Sequence, residues 1–201
     1  MVELLAGAYP DARCELDYRD PWELLVATVL SAQCTDQRVN QVTPELFRRW
    51  PTPAAIAEAP LAELEEAVRP TGFFRNKARA VREAARILVS RFGGELPREL
   101  EALVELPGVG RKTAKVVLGE AFGIAAGIAV DTHVRRVSGR LGLSRSSEAE
   151  VIAGELERLV PQPVWVAFSM RMILHGRRVC VARRPRCAGC PLEPACAKVG
   201  V

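Results

Sequence analysis

The chain has 201 residues, of which 49% are hydrophobic and 26% charged, and its net charge is +4. This composition is typical of a soluble globular protein with one or two cores and excludes an intrinsically disordered chain, while the basic balance is modest support for a polyanionic partner. No signal peptide and no apolar stretch long enough to cross a bilayer is visible, so we expect a cytoplasmic protein without a membrane partner.

Helical periodicity dominates the sequence, and convincing strand alternation is absent. The cleanest helix start is Asp20-Pro21-Trp22-Glu23, in which the Asp can cap, the Pro takes the first turn and the Glu completes a capping box. Further starts are predicted at Thr43-Pro44-Glu45 and at Ser147-x-x-Glu150, and a helix from Asn76 to Phe92 should end at Gly93. The sequence predicts an all-α protein of about ten short helices.

A glycine turn is predicted within Leu106-Pro107-Gly108-Val109-Gly110-Arg111-Lys112-Thr113-Ala114, between a helix from Pro97 and an apolar helix that runs to Phe122. Gly108 and Gly110 allow close approach of the backbone to a ligand, and the free N–H groups that begin the second helix suit a phosphate oxygen. An ordinary turn between helices is the alternative. A phosphate site is favoured by three neighbouring cations, Arg111, Lys112 and Lys115.

Lys112 is predicted to lie in the first turn of that helix, where the helix dipole and two like charges disfavour the ammonium form. A neutral amine can attack an electrophilic carbon and form a Schiff base. Lys112 is therefore a candidate nucleophile as well as a candidate phosphate ligand, and spacing alone favours the phosphate role.

Val130-Asp131-Thr132-His133 follows an apolar run and predicts a helix start at Asp131. Capping a helix is the ordinary role of an Asp at such a position, and an isolated His is more often a surface residue than a catalyst. The residues alone therefore favour a structural role for both side chains.

Four cysteines close the chain with the spacing C-x6-C-x2-C-x5-C: Cys180, Cys187, Cys190 and Cys196. Thiolates favour zinc or an iron–sulfur cluster over hard cations, and the long gaps favour a [4Fe–4S] cluster over a structural zinc site. Two disulfides are disfavoured in a chain without an export signal. We interpret Cys14 and Cys34 as buried small hydrophobic residues outside this array.

Taken together, these segments closely resemble the endonuclease III family. The motifs are SAQCTD at Ser31 to Asp36, TGFFRNKA at Thr71 to Ala78, LPGVGRKTA, VDTH and ILHGRRVC at Ile173 to Cys180, and they occur in the family's order over nearly the whole chain. The resemblance implies a bifunctional DNA glycosylase and AP lyase of base excision repair that removes oxidised pyrimidines. Its partner would be double-stranded DNA with a damaged base or an abasic site, and we expect a nucleoid-associated monomer.

The resemblance also implies roles for single residues. Lys112 would be the nucleophile that attacks C1′ of the flipped nucleotide, and Asp131 the essential aspartate. Gln33 would enter the vacated base stack and Phe73 would wedge from the other side, although core packing is the ordinary role of a Phe. Asp36 and His133 would line the base pocket or the cleft. The remaining DNA contacts would be Gly108, Gly110, Arg111, Arg183, Arg184 and Arg186.

The family architecture implies two helical domains that flank a DNA-binding cleft. A barrel domain with a helix-hairpin-helix motif would span residues 15–125, and residues 1–14 with 126–201 would form the domain of the [4Fe–4S] cluster loop. Three positions depart from the family's usual residues and bear on lesion preference: Cys34, Phe73 and Lys115. A related glycosylase with another lesion specificity and a non-catalytic DNA-binding or redox protein are the alternative functions.

Overall fold

Eleven α-helices and three 3-10 turns make up the regular structure, and no strand is present, which confirms the all-α prediction. The structure is a computed structural model that describes residues 1–201. The α-helices are α1 (Val2–Ala8), α2 (Pro21–Leu30), α3 (Asp36–Arg49), α4 (Pro53–Glu58), α5 (Leu61–Val68), α6 (Phe74–Phe92), α7 (Leu100–Val104), α8 (Arg111–Phe122), α9 (Thr132–Leu141), α10 (Ala149–Leu159) and α11 (Trp165–Arg178). The 3-10 turns are Arg69–Thr71, Gln162–Val164 and Glu193–Ala195.

The chain divides into two compact units. The contiguous unit comprises residues 15–122 and holds α2 to α8. The terminal unit comprises residues 1–14 and 123–201 and holds α1 and α9 to α11. None of the helices combines the length and the apolar character that a bilayer span requires.

Helix α2 forms the centre of the contiguous unit. Asp20 caps it by accepting a hydrogen bond from the Glu23 amide at 2.9 Å, as predicted, and the Glu23 carboxylate accepts from the amide of Arg19 at 2.8 Å. All residues from Trp22 to Leu30 are buried, as expected for a helix that is apolar all round. The helix packs against α3, α6 and α8, as its central position requires.

The prediction of a helix start at Thr43-Pro44-Glu45 is wrong, because Pro44 lies inside α3. Thr35 caps this helix by accepting from the Arg38 amide at 3.2 Å. The buried side chains before and after the proline continue one stripe, which consists of Val39, Val42, Leu46 and Phe47. Burial of this stripe outweighs the hydrogen bond that the proline removes.

Three other helix boundaries differ from the predictions. Helix α6 begins at Phe74 and ends, as predicted, before a left-handed Gly93. Helix α7 begins at Leu100, not at Pro97. Ser147 does not cap α10, because Glu148 is the cap residue and its amide donates to Ser146 Oγ at 3.0 Å. Neighbouring serines compete for the same role, so the pattern alone could not choose the cap.

In the terminal unit α11 packs against α9 and α1, and α10 packs against α9. Its core includes Leu5 of α1, Val134 of α9 and Phe168 of α11, none of which is exposed. The Tyr9 hydroxyl, just after α1, lies 3.0 Å from Nδ1 of His175 in α11. The beginning of the chain is therefore built into the core of its last third.

Candidate active site and cysteine-rich loop

The turn between α7 and α8 is a helical hairpin whose two glycines serve different purposes. Gly108 has a φ of +81°, and a Cβ there would lie 3.0 Å from the Cβ of Ala80 and 3.3 Å from Cγ1 of Val29. Gly110 is exposed, and a Cβ there would meet nothing within 4 Å. Gly108 is therefore required for packing of the turn, whereas Gly110 leaves the backbone open to a ligand.

Helix α8 begins directly after this open backbone. The amide of Ala114 donates to the Gly110 carbonyl at 2.9 Å, and the amides that precede it have no acceptor within the helix. Arg111 and Lys112 lie in this first turn. The N-terminal end of the helix, its dipole and these side chains together form a surface suited to a phosphate group.

The four lysines of the chain differ in burial and in ion pairing. Lys77 and Lys115 are buried, with 5% and 6% of their surface exposed, and Lys198 is ion-paired with Glu193 at 2.7 Å. The expectation that Lys115 adds a cation to the phosphate surface is therefore wrong. Lys112 is half-buried in the first turn of α8 and is not engaged in an ion pair. Among the lysines, Lys112 is best placed to act as an accessible amine nucleophile.

Gln33 and Phe73 both lie in the left-handed backbone region, with φ of 53° and 47°. This conformation costs a residue other than glycine roughly 1–3 kcal/mol, and such residues cluster at functional sites. The Gln33 side chain is exposed, and Phe73 is 64% exposed, so core packing does not explain this Phe. Asp36, the first residue of α3, is half-buried three residues after Gln33.

Asp131 caps α9, as the sequence alone predicted. Its Oδ1 accepts hydrogen bonds from the amides of His133 and Val134, both at 2.8 Å. The residue is half-buried. Because both cap bonds end on the same oxygen, the cap leaves Oδ2 available for another role.

His133 is fixed against α11 by close packing. A Cβ on Gly176 would lie 2.7 Å from the Cβ of His133, so the two helices meet without a side chain between them. The Arg136 guanidinium lies 3.1 Å from Nδ1 of His133 and donates to the carbonyls of Gly176 at 2.8 Å and Cys180 at 3.0 Å. Since arginine is a donor only, Nδ1 of His133 accepts. Arg136 thus ties the start of α9 to the start of the cysteine-rich loop, residues 180–196.

The four cysteine side chains of this loop line one cavity in the terminal unit. Burial raises the pKa of the Cys190 thiol, and the charges of the three other cysteines raise it further. No group of three or more metal-binding side chains is close enough to hold a single metal ion. The cavity is lined otherwise by apolar residues, two arginines and His175, with no carboxylate side chain, which fits a group held by thiolates.

Nitrogen atoms lie close to three of the four sulfur atoms. Arg140 lies 3.4 Å from Sγ of Cys180, and Nε2 of His175 lies 3.6 Å from Sγ of Cys190. Burial lowers the pKa of His175, so the ring is held neutral. The backbone amide of Lys198 donates to Sγ of Cys196 at 3.4 Å. Donors such as the Arg140 guanidinium and the Lys198 amide stabilise anionic sulfur ligands and are typical of thiolate-bound cofactors.

The predicted basic side chains of the loop, Arg183, Arg184 and Arg186, are all exposed. Cys14 and Cys34 are only partly buried, so their interpretation as buried hydrophobic residues is wrong. Both lie in irregular segments between helices, where the helical pattern gives no information on burial.

Several residues of the site region had no functional signal in the sequence. Arg136, Arg140 and Tyr9 bond to partners at least 40 residues away in the chain. For Lys77 the sequence pattern does predict burial, because this residue shares the buried face of α6 with Ala78 and Val81. A lysine on such a face needs buried partners.

Comparisons with known proteins agree with this geometry. The family described as HhH-GPD superfamily base excision DNA repair protein matches residues 26–162. Endonuclease III of Synechocystis sp. is 53% identical over 96% of this chain and 88% of that protein, and endonuclease III of Escherichia coli K12 is 41% identical over 93% and 88%. The chain belongs to the endonuclease III family. This membership confirms the predicted fold and enzyme class, a DNA glycosylase and AP lyase of base excision repair.

Solved structures of the endonuclease III family resemble this chain along almost its whole length. The match to the protein of a non-covalent endonuclease III–DNA complex has a TM-score of 0.93 and 46% sequence identity. It covers 98% of this chain and 92% of the chain in that complex. A trapped covalent endonuclease III–DNA intermediate, the estranged-adenine complex, gives the same values.

Proposed function

We propose that this enzyme excises oxidised pyrimidines from double-stranded DNA and then cleaves the strand by β-elimination, with Lys112 as the nucleophile. The observation that carries the proposal is the position of Lys112. It is neither buried like Lys77 and Lys115 nor ion-paired like Lys198, and it lies in the first turn of α8, beside the open backbone of Gly110. The covalent DNA intermediate of a protein 46% identical to this chain supports chemistry through an enzyme–DNA bond.

In the proposed reaction the neutral amine of Lys112 attacks C1′, and the bond from C1′ to the base breaks. The base leaves with the bonding electrons and takes up a proton. The nitrogen gives up one of its two protons, the C1′–O4′ bond breaks and O4′ takes up a proton, so that an open sugar joined to Lys112 through a protonated imine remains. Loss of a proton from C2′ then expels the 3′ phosphate by β-elimination, and water hydrolyses the imine to release Lys112.

Asp131 is proposed to stabilise the positive charge that develops on the sugar and to assist deprotonation of Lys112. This role needs an ionised carboxylate in a preorganised position. Two backbone amides hold Oδ1, so the carboxylate is fixed without using its second oxygen. Capping and catalysis are compatible for this side chain.

Base excision requires that the nucleotide leave the stack, at a cost of a few kcal/mol. We propose that Gln33 fills the vacated position, that Phe73 wedges between bases, and that Asp36 and His133 line the pocket or cleft of the damaged base. The exposure of Gln33 and Phe73 supports this assignment. Phosphate contacts are proposed for Gly108, Gly110, Arg111, Arg183, Arg184 and Arg186.

The cysteine-rich loop is proposed to hold a [4Fe–4S] cluster through its four cysteines. The Arg140 and Lys198 donors near the sulfur atoms and the cavity without carboxylate side chains support this assignment. When bound, the cluster would cross-link the loop, so that the arginines of the loop face the DNA backbone. We further propose that the enzyme works on the nucleoid as a monomer.

A different lesion specificity within the superfamily is the second candidate. A thermostable thymine-DNA glycosylase has a TM-score of 0.88 and 25% identity to this chain, and Phe73 is bulkier than the leucine that is common in the family. A panel of lesion duplexes separates the two candidates.

The deciding experiment is borohydride trapping of the purified enzyme on duplexes that contain thymine glycol or an abasic site. A covalent adduct on both duplexes is the expected result. An adduct on the abasic duplex alone would leave a lyase with another lesion. No adduct on either would contradict Schiff-base chemistry and favour a binding role.

A further inference from the structure

A buried lysine outside the proposed chemistry connects the two segments that carry Gln33 and Phe73. Lys77 is the fourth residue of α6, four positions after Phe73, and only 5% of it is exposed. Its ammonium group donates to the carbonyl of Leu30 and to the carbonyl of Thr71, both at 2.7 Å. One side chain therefore bonds to segments that are 41 residues apart in the sequence, from 30 to 71.

Each carbonyl lies close to one of the exposed side chains. Leu30 is the last residue of α2, three positions before Gln33, and Thr71 ends a 3-10 turn two positions before Phe73. The amide of Cys34, which would continue the helical pattern, donates to Ser31 instead of Leu30. The C-terminal end of α2 is thus left open to an ammonium group, which the helix dipole also favours.

The burial of this charge makes the connection stiff. Burial lowers the pKa of Lys77, and the nearby Cys34 acts in the opposite direction. A buried ammonium group tolerates burial only while its hydrogen bonds are intact. Movement of either segment away from Lys77 would leave a charge without one of its partners.

Both exposed side chains depend on such a restraint, because each sits on a left-handed backbone. A residue other than glycine keeps this conformation only where the surrounding structure holds it. Phe73 is additionally held by α6, since its carbonyl accepts from the amides of Asn76 and Lys77.

We propose that Lys77 is a positioning residue that fixes the spacing between Gln33 and Phe73, so that both side chains enter the DNA stack together. This inference rests on the proposed function. Lys77 acts through these two residues and does not contact the reacting atoms.

The test is Lys77→Met, which keeps the length and apolar stem of the side chain and removes both hydrogen bonds. We expect excision of thymine glycol from duplex DNA to fall about tenfold or more, as expected for the loss of a charge-assisted hydrogen bond. Fluorescence of 2-aminopurine opposite the lesion, which reports unstacking, should fall in parallel. Trapping on an abasic duplex should fall much less, because no damaged base has to be unstacked there.

Val81→Ala is the matched control, because Val81 is buried in the same helix at 4% exposure and is not bonded to either carbonyl. If Val81→Ala lowers the melting temperature about as much as Lys77→Met does, it should still keep the parent's ratio of thymine glycol excision to abasic trapping. Lys77→Arg, which keeps the donors, should recover part of the 2-aminopurine signal. Equal losses on both substrates, or an unchanged 2-aminopurine signal in Lys77→Met, would overturn the inference. Failure of the parent enzyme to trap abasic DNA would instead overturn the proposed function.

Discussion

Asp131 satisfies a local rule of helix formation and Lys112 violates one, because both residues lie at a helix N-terminus but carry opposite charges. Lys112 opposes the dipole at the start of α8, whereas Asp131 complements the dipole at the start of α9. The positive end of the helix dipole repels a cation at the N-terminus and attracts an anion there. Substitutions at the two positions should therefore differ in their effect on stability.

Lys112→Gln should abolish the borohydride-trapped adduct while binding to an uncleaved lesion duplex is largely kept. Lys112→Arg is the control, because it keeps the positive charge but cannot be deprotonated to a nucleophile. Both variants should lack the adduct, and Lys112→Arg should bind DNA like the parent. An adduct that persists in both variants would assign the nucleophile to another amine.

Asp131→Asn should lower turnover about 100-fold, the loss typical of removing one preorganised electrostatic group. Because Asn caps helices about as well as Asp, the free energy of unfolding should change by less than about 1 kcal/mol. Single-turnover excision and urea unfolding measure the two effects. Loss of helical circular dichroism under native conditions would show that capping is the dominant role.

The sequence predicted residue roles where the signal is local. The Asp131 cap and the first-turn position of Lys112 follow from neighbouring residues, and both are found. The positions of Lys77 and Arg136 depend on carbonyls 47 and 44 residues away, which no local pattern specifies. Burial of Lys115 likewise depends on packing of the whole unit.

At the scale of helices, the hairpin between α7 and α8 combines a glycine that packs with a glycine that is open. Gly108→Ala should lower the free energy of unfolding by about 1–3 kcal/mol, because φ is positive and the new Cβ would crowd the Cβ of Ala80.

Gly110→Ala should leave the free energy of unfolding within about 0.5 kcal/mol of the parent value, since a Cβ there meets nothing within 4 Å. Its affinity for an abasic duplex should nevertheless fall if the backbone approaches phosphate. Urea unfolding and fluorescence anisotropy measure these effects, and a Gly110→Ala variant with parental affinity would argue against the phosphate contact.

The contact between α9 and α11 gives a second pair of variants. Gly176→Ala would place a Cβ 2.7 Å from that of His133, so the helices must separate. We expect a loss of about 1–3 kcal/mol in the free energy of unfolding. Gly139→Ala, in α9 where nothing lies within 4 Å, should instead stabilise by roughly 0.5–1 kcal/mol. Equal effects of the two changes in thermal unfolding would contradict the close approach.

Helix types were predictable and several helix starts were not. Apolar periodicity specifies a helix over many residues, whereas a start depends on one or two residues. Pro44 illustrates the difference, because proline favours a first turn by local rules but is accommodated inside α3 by a continuous buried stripe.

At the scale of the whole molecule, the cysteine-rich loop has little regular structure, apart from the Glu193–Ala195 turn. Cys190→Ser should lower bound iron and weaken amide protection over residues 180–196, because a missing ligand removes a cross-link from this irregular segment. Iron analysis and hydrogen exchange measure both. The core of the terminal unit around Phe168, which is fully buried, serves as the internal reference. Unchanged protection of the loop in an iron-depleted variant would contradict a structural role of the cluster.

The order of the chain also imposes an order on its synthesis. The hydroxyl of Tyr9 lies against His175, and the carbonyl of Tyr9 accepts from Arg171, 162 residues later. A ribosome completes residues 15–122 before any of α9 to α11 exists. Until α11 has emerged, the nascent α1 segment lacks the helix against which it packs. Residues 2–9 are therefore translated before the contiguous unit but reach the native contacts of α1 and Tyr9 only after that unit is complete.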